Sequence, residues 1–297
     1  MKRAIPITLL FLFNWFMLYL LLQFGVSFTH GTHGGAHAVA ISYVIALLAF
    51  VILCGLAFLM DSPFGQGLLR LLSGARKPIG RETGKIEPAI AIIQEKALAE
   101  LKSSPLPIKL MILDDPLPTA FSMGKETLIL SRGLYETAND SELAAVIAHE
   151  CAHLHNGDSH RLGIALGVSL PALIVAGISG AIVKITAAVI TSHSGKEEGT
   201  IWVLFSFVLM LFAGFFGLLA KIGHWLLNLI TLFVGRQQEF EADRFAVQLG
   251  YGAGLLSFLD KIKNLEFSKA TGIFDRLYAT HPAIMLRIGK IEETLKG

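Results

Sequence analysis

The sequence predicts a mainly α, α+β chain in which four membrane-crossing helices join a polar domain holding a small sheet. Three observations predict it. The 297 residues are 53% hydrophobic and only 16% charged, whereas a soluble domain usually carries about a quarter charged residues. Four apolar runs, at residues 5–28, 38–60, 162–190 and 201–234, are each longer than the roughly 20 residues that span a bilayer as helix. The polar stretches between them mix amphipathic helical periods with short β-rich runs.

The first two apolar runs contain no charged residue. Residues 1–28 are expected to be a retained anchor, because the run exceeds a signal-peptide core and no small-residue cleavage site follows it. Short loops rich in Lys and Arg stay on the cytoplasmic side. Lys2 and Arg3 precede the first run, residues 29–37 hold neither type, and Arg70, Arg76, Lys77, Arg81 and Lys85 follow the second. The connection at 191–200 carries Lys196 alone. The expected organisation is therefore a membrane hairpin at 1–60 and a second at 162–234, inserted into a cytoplasmic domain made of 61–161 and 235–297.

A net charge of +2 with dispersed basic residues gives no sign of a nucleic-acid partner, and none is expected. Cys54 lies inside an apolar run and Cys151 inside the motif described below, so neither suits a disulfide framework and a reducing compartment is expected. Lys184, near the end of the third run, is read as snorkelling to headgroups rather than marking a transport path. Gly163 and Gly167 form a GxxxG that lets helices approach closely. His30, His33 and His37, set among glycines, are read as an ordinary polar turn.

Within the polar domain, Pro88 is placed at a helix start, with Ile90, Ile93, Ala97 and Leu101 on its apolar face. Residues 107–113 and 127–130 read as strands, with 120–123 as a further extended piece before a turn at Gly124.

The decisive stretch is NDSELAAVIAHECAHLHNG at 139–157. Asn139 and Glu142 stand in capping-box positions and Gly157 is placed to end the helix. His149 and His153, four residues apart, project from one helical face and can bind one tetrahedral metal ion. Glu150 lies about 100° around the helix from His149. From there a carboxylate can take a proton from water activated at the metal and deliver it to a leaving amine. A catalytic site needs a further protein ligand. In RQQEFEAD at 236–243, expected to open a helical stretch, Glu239 and Asp243 share a face. Glu239 is the proposed third ligand. Asp243 then accepts a hydrogen bond from the second nitrogen of a ligating histidine, with direct ligation by Asp243 as the alternative.

HECAH, the following HNGD at 155–158, the hydrophobic hairpin, QEFEAD at 238–243 and HPAIMLRI at 281–288 together resemble the HtpX membrane metalloproteases. The resemblance implies a gluzincin-type metalloprotease domain holding one zinc ion through His149, His153 and Glu239, with Glu150 as general base and Asp243 behind a ligand. It implies that His281 approaches the oxyanion and that Arg287 supports the site, both within the HPxxxxR stretch. PTAFSMG at 118–124 resembles the family's Asn-Ala-Phe edge strand, so Thr119, Ala120 and Phe121 are expected to meet substrate, with Thr119 in place of the asparagine. The implied activity is cleavage of misfolded or damaged membrane proteins at the cytoplasmic face, in a bacterial inner membrane. Two readings compete, the first with the same metal residues. One is a protease trimming prenylated C-termini, whose relatives have more membrane segments; the other is a transporter or scaffold with structural histidines.

Overall fold

The computed structural model describes residues 5–30, 36–102, 104–193, 200–263 and 284–296. In chain order the elements are α1 (Ile5–His30), α2 (Ala36–Asp61), α3 (Pro63–Leu72), α4 (Gly80–Leu101), β1 (Lys109–Leu113), β2 (Ala120–Met123) and β3 (Thr127–Ser131). They continue with α5 (Arg132–Thr137), α6 (Asp140–Asn156), α7 (Asp158–His193), α8 (Thr200–Gln248), α9 (Gly252–Ile262) and α10 (Ile284–Lys296). His281, His33 and Lys196 lie outside the described residues, as do the side chains of His30 and His37.

The described residues are mostly helical with one three-stranded sheet, and the chain divides into two compact units. Met1–Met60 and Ile164–Ile230 form one; Asp61–Gly163 and Thr231–Gly297 form the other.

The first unit contains α1, α2 and the apolar lengths of α7 and α8. Among the described residues, four stretches are long and apolar enough to cross a membrane: Ile7–Phe24, Val39–Asp61, Asp158–His193 and Thr200–Leu227. Helices suit this role because every backbone polar group inside them is satisfied within the segment. Side chains such as Leu47, Phe58 and Trp202 point outward, as expected where lipid replaces water. Met17, Ala172, Val175, Phe216 and Ala220 pack together, and Leu18 packs with Ala49 and Leu53. Trp15 Nε1 donates to the Ala46 carbonyl at 2.8 Å, tying α1 to α2 through a group that needs a partner away from water. Of the GxxxG pair, Gly167 makes the close approach: a Cβ there would come within 2.5 Å of Met60 Cγ and 3.0 Å of the Leu56 carbonyl oxygen. A Cβ at Gly163 would meet nothing within 4 Å beyond its own helix. Lys184 is exposed on α7.

In the second unit the strand order is β1-β3-β2, with β3 parallel to β1 and antiparallel to β2. All five residues of the central strand β3 are buried. One core unites Ile86, Ile90 and Ile93 of α4 with Ile112 of β1, Leu128 and Leu130 of β3, Leu143, Ile147 and Cys151 of α6, Leu259 of α9 and Ile291 of α10. Helix α6 is fixed at both ends. Asn139 Oδ1 accepts from the Glu142 amide at 2.9 Å, and Glu142 Oε2 accepts from the Asn139 amide at 2.9 Å. Gly157 closes the helix at φ 68°, a left-handed conformation that costs glycine little. Glu142 also accepts from Ser257 Oγ at 2.7 Å and pairs with Lys261, so the cap joins α9 to α6.

Two expectations are corrected. Pro88 lies inside α4, not at its start. The helix begins at Gly80, where Glu82 accepts from the Ile79 amide at 2.8 Å and is itself held by a bidentate ion pair from Arg76. The cap and the buried Ile86 outweigh the hydrogen bond that proline removes. Residues 236–243 do not open a helix; they belong to the last turns of α8, which runs unbroken from the fourth apolar run because no proline interrupts it. Helix α3 also goes beyond the expectations, although Ser62 before Pro63 is the usual signature of a cap and first turn: Ser62 Oγ accepts from the Gly65 amide at 3.2 Å.

Asn139→Ala removes one cap acceptor of α6 and should cost about 1 kcal/mol. Thermal unfolding of the full-length protein in detergent should show a midpoint lowered by roughly 2–4 °C.

Candidate metal centre

The site is built on α6, whose apolar positions fix its orientation in the core and leave His149, Glu150 and His153 in one buried region. The two imidazoles sit edge to face, 4.9 Å between ring centroids. Across from them, α8 presents Glu239 and Asp243, both buried, and α10 presents Arg287.

Glu239 faces both histidines. Its Oε2 is 3.4 Å from His149 Nε2 and its Oε1 is 3.3 Å from His153 Nε2. These separations exceed the usual hydrogen bond of about 2.9 Å. They match the roughly 3.4 Å expected between two donors that each lie about 2.1 Å from one tetrahedral ion. Donor atoms of all three residues lie within 4.8 Å of one another, the only such group among the described residues.

The outer nitrogens are also engaged. His149 Nδ1 lies 2.9 Å from Asp243 Oδ1, and His153 Nδ1 lies 3.3 Å from Asp158 Oδ2. An Nδ1 that donates to its carboxylate leaves the Nε2 lone pair directed at Glu239. Arg287 grips Asp243 twice, Nε to Oδ2 at 2.9 Å and Nη2 to Oδ1 at 2.7 Å, and reaches Glu239 Oε2 at 3.2 Å. It is buried, not on a solvated helix face.

Asp158 is the residue that the sequence reading left without a role. It opens α7 just after the Gly157 turn, and its Oδ1 accepts from Gln238 Nε2 at 2.9 Å. Arg161 lies 3.7 Å away. The signal was present in HNGD, because a carboxylate five residues after the second histidine can return to it only if the helix ends between them.

The electrostatics explain why such a cluster can be buried. By formal charge, and among the described residues, Glu150, Asp158, Glu239 and Asp243 are four buried anions beside one buried cation, Arg287. Buried charge is costly unless compensated. In the metal-free chain the imidazoles compensate. Burial pushes His153 down, but Asp158 and Glu239 outweigh it and raise the ring to about 10. Burial and Arg287 push His149 down, while hydrogen bonds to Asp243 and Glu239 turn the balance upward. A divalent cation would supply positive charge among these carboxylates in place of imidazole protons, so the donor set fits a metal ion. Cys151, on the core face of α6, is pushed up to about 12 by burial and by Glu150, which suits a packed thiol rather than a ligand.

Thr119 is buried at the entry to β2, its amide donating to Ser131 Oγ at 2.9 Å, and Ala120 and Phe121 lie on β2. That strand ends the sheet order and packs on α6.

A family model described as peptidase family M48 matches residues 87–295. The chain belongs to that family. As an M48 chain with four membrane-capable helices it is a multi-pass membrane metallopeptidase. It is 29% identical over 272 residues to a protein named Protease HtpX homolog from Tropheryma whipplei (strain Twist), covering 84% of this chain and 86% of the relative. A protein of the same name from Dictyoglomus turgidum is 29% identical over 240 residues, covering 74% and 72%. Another from Streptococcus pneumoniae (strain P1031) is 26% identical over 223 residues, covering 68% and 72%.

Two outcomes are expected. Asp158→Asn and Asp243→Asn should each weaken zinc binding about 10–100-fold, measured by competition with a chromophoric chelator. Because His153 is protonated below about 10 without metal, uptake must expel that proton. Affinity should therefore rise with pH between about 6 and 9, by up to roughly tenfold per unit for each proton released. Proton release on zinc addition in weak buffer checks the sign.

Proposed function

We propose that this chain is a zinc endopeptidase that cleaves extended segments of misfolded or damaged membrane proteins. Residues 61–161 and 235–297 act as its protease domain, on the cytoplasmic face of a bacterial inner membrane. The observation that carries the reading is the His149, His153 and Glu239 group, with a carboxylate behind each imidazole. Two imidazoles and a carboxylate favour zinc among common divalent ions. The scarcity of Lys and Arg in residues 29–37, against their abundance after α2, supports the cytoplasmic side.

His149, His153 and Glu239 would hold the ion. When bound, zinc supplies Lewis-acid activation of water and of the scissile carbonyl. Glu150 accepts the proton of the attacking water and delivers it to the departing nitrogen, which leaves as an amine. Asp243 and Asp158 keep the Nδ1 proton on each imidazole, so both Nε2 atoms remain donors to the ion. Arg287 holds Glu239 and Asp243 in register and balances their charge. The family resemblance alone assigns His281, which lies outside the described residues, to the oxyanion. Substrate adds as a further strand at β2, with backbone contacts at Thr119, Ala120 and Phe121. An extended, unfolded segment meets this requirement and a folded domain does not.

The test compares casein cleavage by zinc-loaded wild type and Glu150→Gln, with metal content assayed in both. Glu150→Gln should keep its zinc and lose on the order of 10²–10⁴-fold in rate. Equal cleavage by both proteins would remove Glu150 from the chemistry, and absence of bound zinc in both would remove the zinc reading altogether.

A further inference from the structure

Helix α3 has two unlike faces. Phe64, Leu68, Leu71 and Leu72 fall within a 100° arc at 100° per residue. All four are exposed, Leu71 at 77% and Phe64 at 68%. The opposite side is occupied. Gln66 is buried against the turn at Gly124, and Arg70 reaches Thr127 Oγ1 at 3.4 Å and Glu126 at 3.6 Å. The apolar stripe therefore faces away from the sheet that α3 is fastened to.

What covers that stripe follows from the chain itself. The second membrane-capable stretch ends at Asp61 and α3 starts at Pro63, with Ser62 alone between them. One connecting residue extends about 3.3–3.6 Å. The first turn of α3 cannot leave the boundary where α2 emerges from the bilayer. A short helix held there, apolar on one side and polar on the other, meets the requirements of an interfacial helix, which lies in the membrane plane with its apolar face in the headgroup and acyl boundary.

We propose that α3 is such a helix. Phe64, Leu68, Leu71 and Leu72 insert into the bilayer surface, while Gln66 and Arg70 hold the turn between β2 and β3. The lipid surface, not a protein partner, is the occupant of this face. The consequence is that α3 meets the bilayer directly, through a face separate from the membrane-spanning helices. The inference requires only that α2 crosses the membrane and does not depend on the protease chemistry.

The test is a nitroxide depth scan on the full-length chain in liposomes of phosphatidylethanolamine and phosphatidylglycerol. Cys54→Ala removes the exposed thiol, and Cys151 is buried and stays. Phe64→Cys, Leu68→Cys, Leu71→Cys and Leu72→Cys are labelled singly. Leu47→Cys serves as the lipid reference and Glu100→Cys as the water reference, both positions being exposed. Labels on the α3 stripe should collide with oxygen nearly as often as the label at 47, and with a water-soluble nickel chelate several-fold less often than the label at 100. Accessibility to the nickel chelate equal to that at 100 would place α3 in water and overturn the proposal. Protection from both reagents would mean that protein covers the face, and would overturn it equally. Because the readout is collision frequency, the result stands whether or not casein is cleaved.

Discussion

The constraint on which the rest of the second unit depends is the burial of several like charges in a small volume. Glu150, Asp158, Glu239 and Asp243 are all withdrawn from water around two imidazoles and one guanidinium. Such a cluster persists only if every member is held by its neighbours, because moving one partner away leaves an uncompensated charge in a poorly screened place. Each carboxylate with a described partner uses it to orient another group: Asp243 holds His149 and Arg287, Asp158 holds His153 and Gln238, and Glu239 faces both imidazoles. Among the described residues these contacts restrain one another, and a metal ion would take up the role that imidazole protons play in balancing the carboxylates.

The scaffold around the set is correspondingly stiff. Helix α6 is capped at both ends and packed by the isoleucines of α4, by β3 and by α9. Glu142 caps α6 and is itself buried under Ser257 and Lys261, so one side chain both starts the helix and docks its neighbour. The remaining site residues sit near the ends of long helices. Asp158 is the first residue of α7, and Glu239 and Asp243 lie in the last turns of α8. Placing ligands on helices rather than loops limits their freedom to side-chain rotamers, which a preorganised metal site requires.

Much of this was legible in the sequence, where the governing rule is local. Apolar length gave away the four membrane-capable helices, and a four-residue spacing put His149 and His153 on one face with caps that the structure also has. The same locality misled at Pro88, which looks like a helix start until the Arg76 and Glu82 pair is seen to begin the helix two turns earlier. It also hid α3, a helix of only ten residues that is short beside its neighbours.

By itself, then, the sequence determined the helical character of the chain, its membrane-length segments, and a capped helix bearing two histidines and a glutamate, because each depends on residues within a few turns of one another. Only the tertiary structure decided which carboxylate stands behind which imidazole, that Gln238 braces Asp158 across 80 residues, and that Arg287 is drawn into the buried set. Those pairings join residues far apart in the chain. No periodicity encodes them, and they are selected by the charge each buried group leaves for the others to balance.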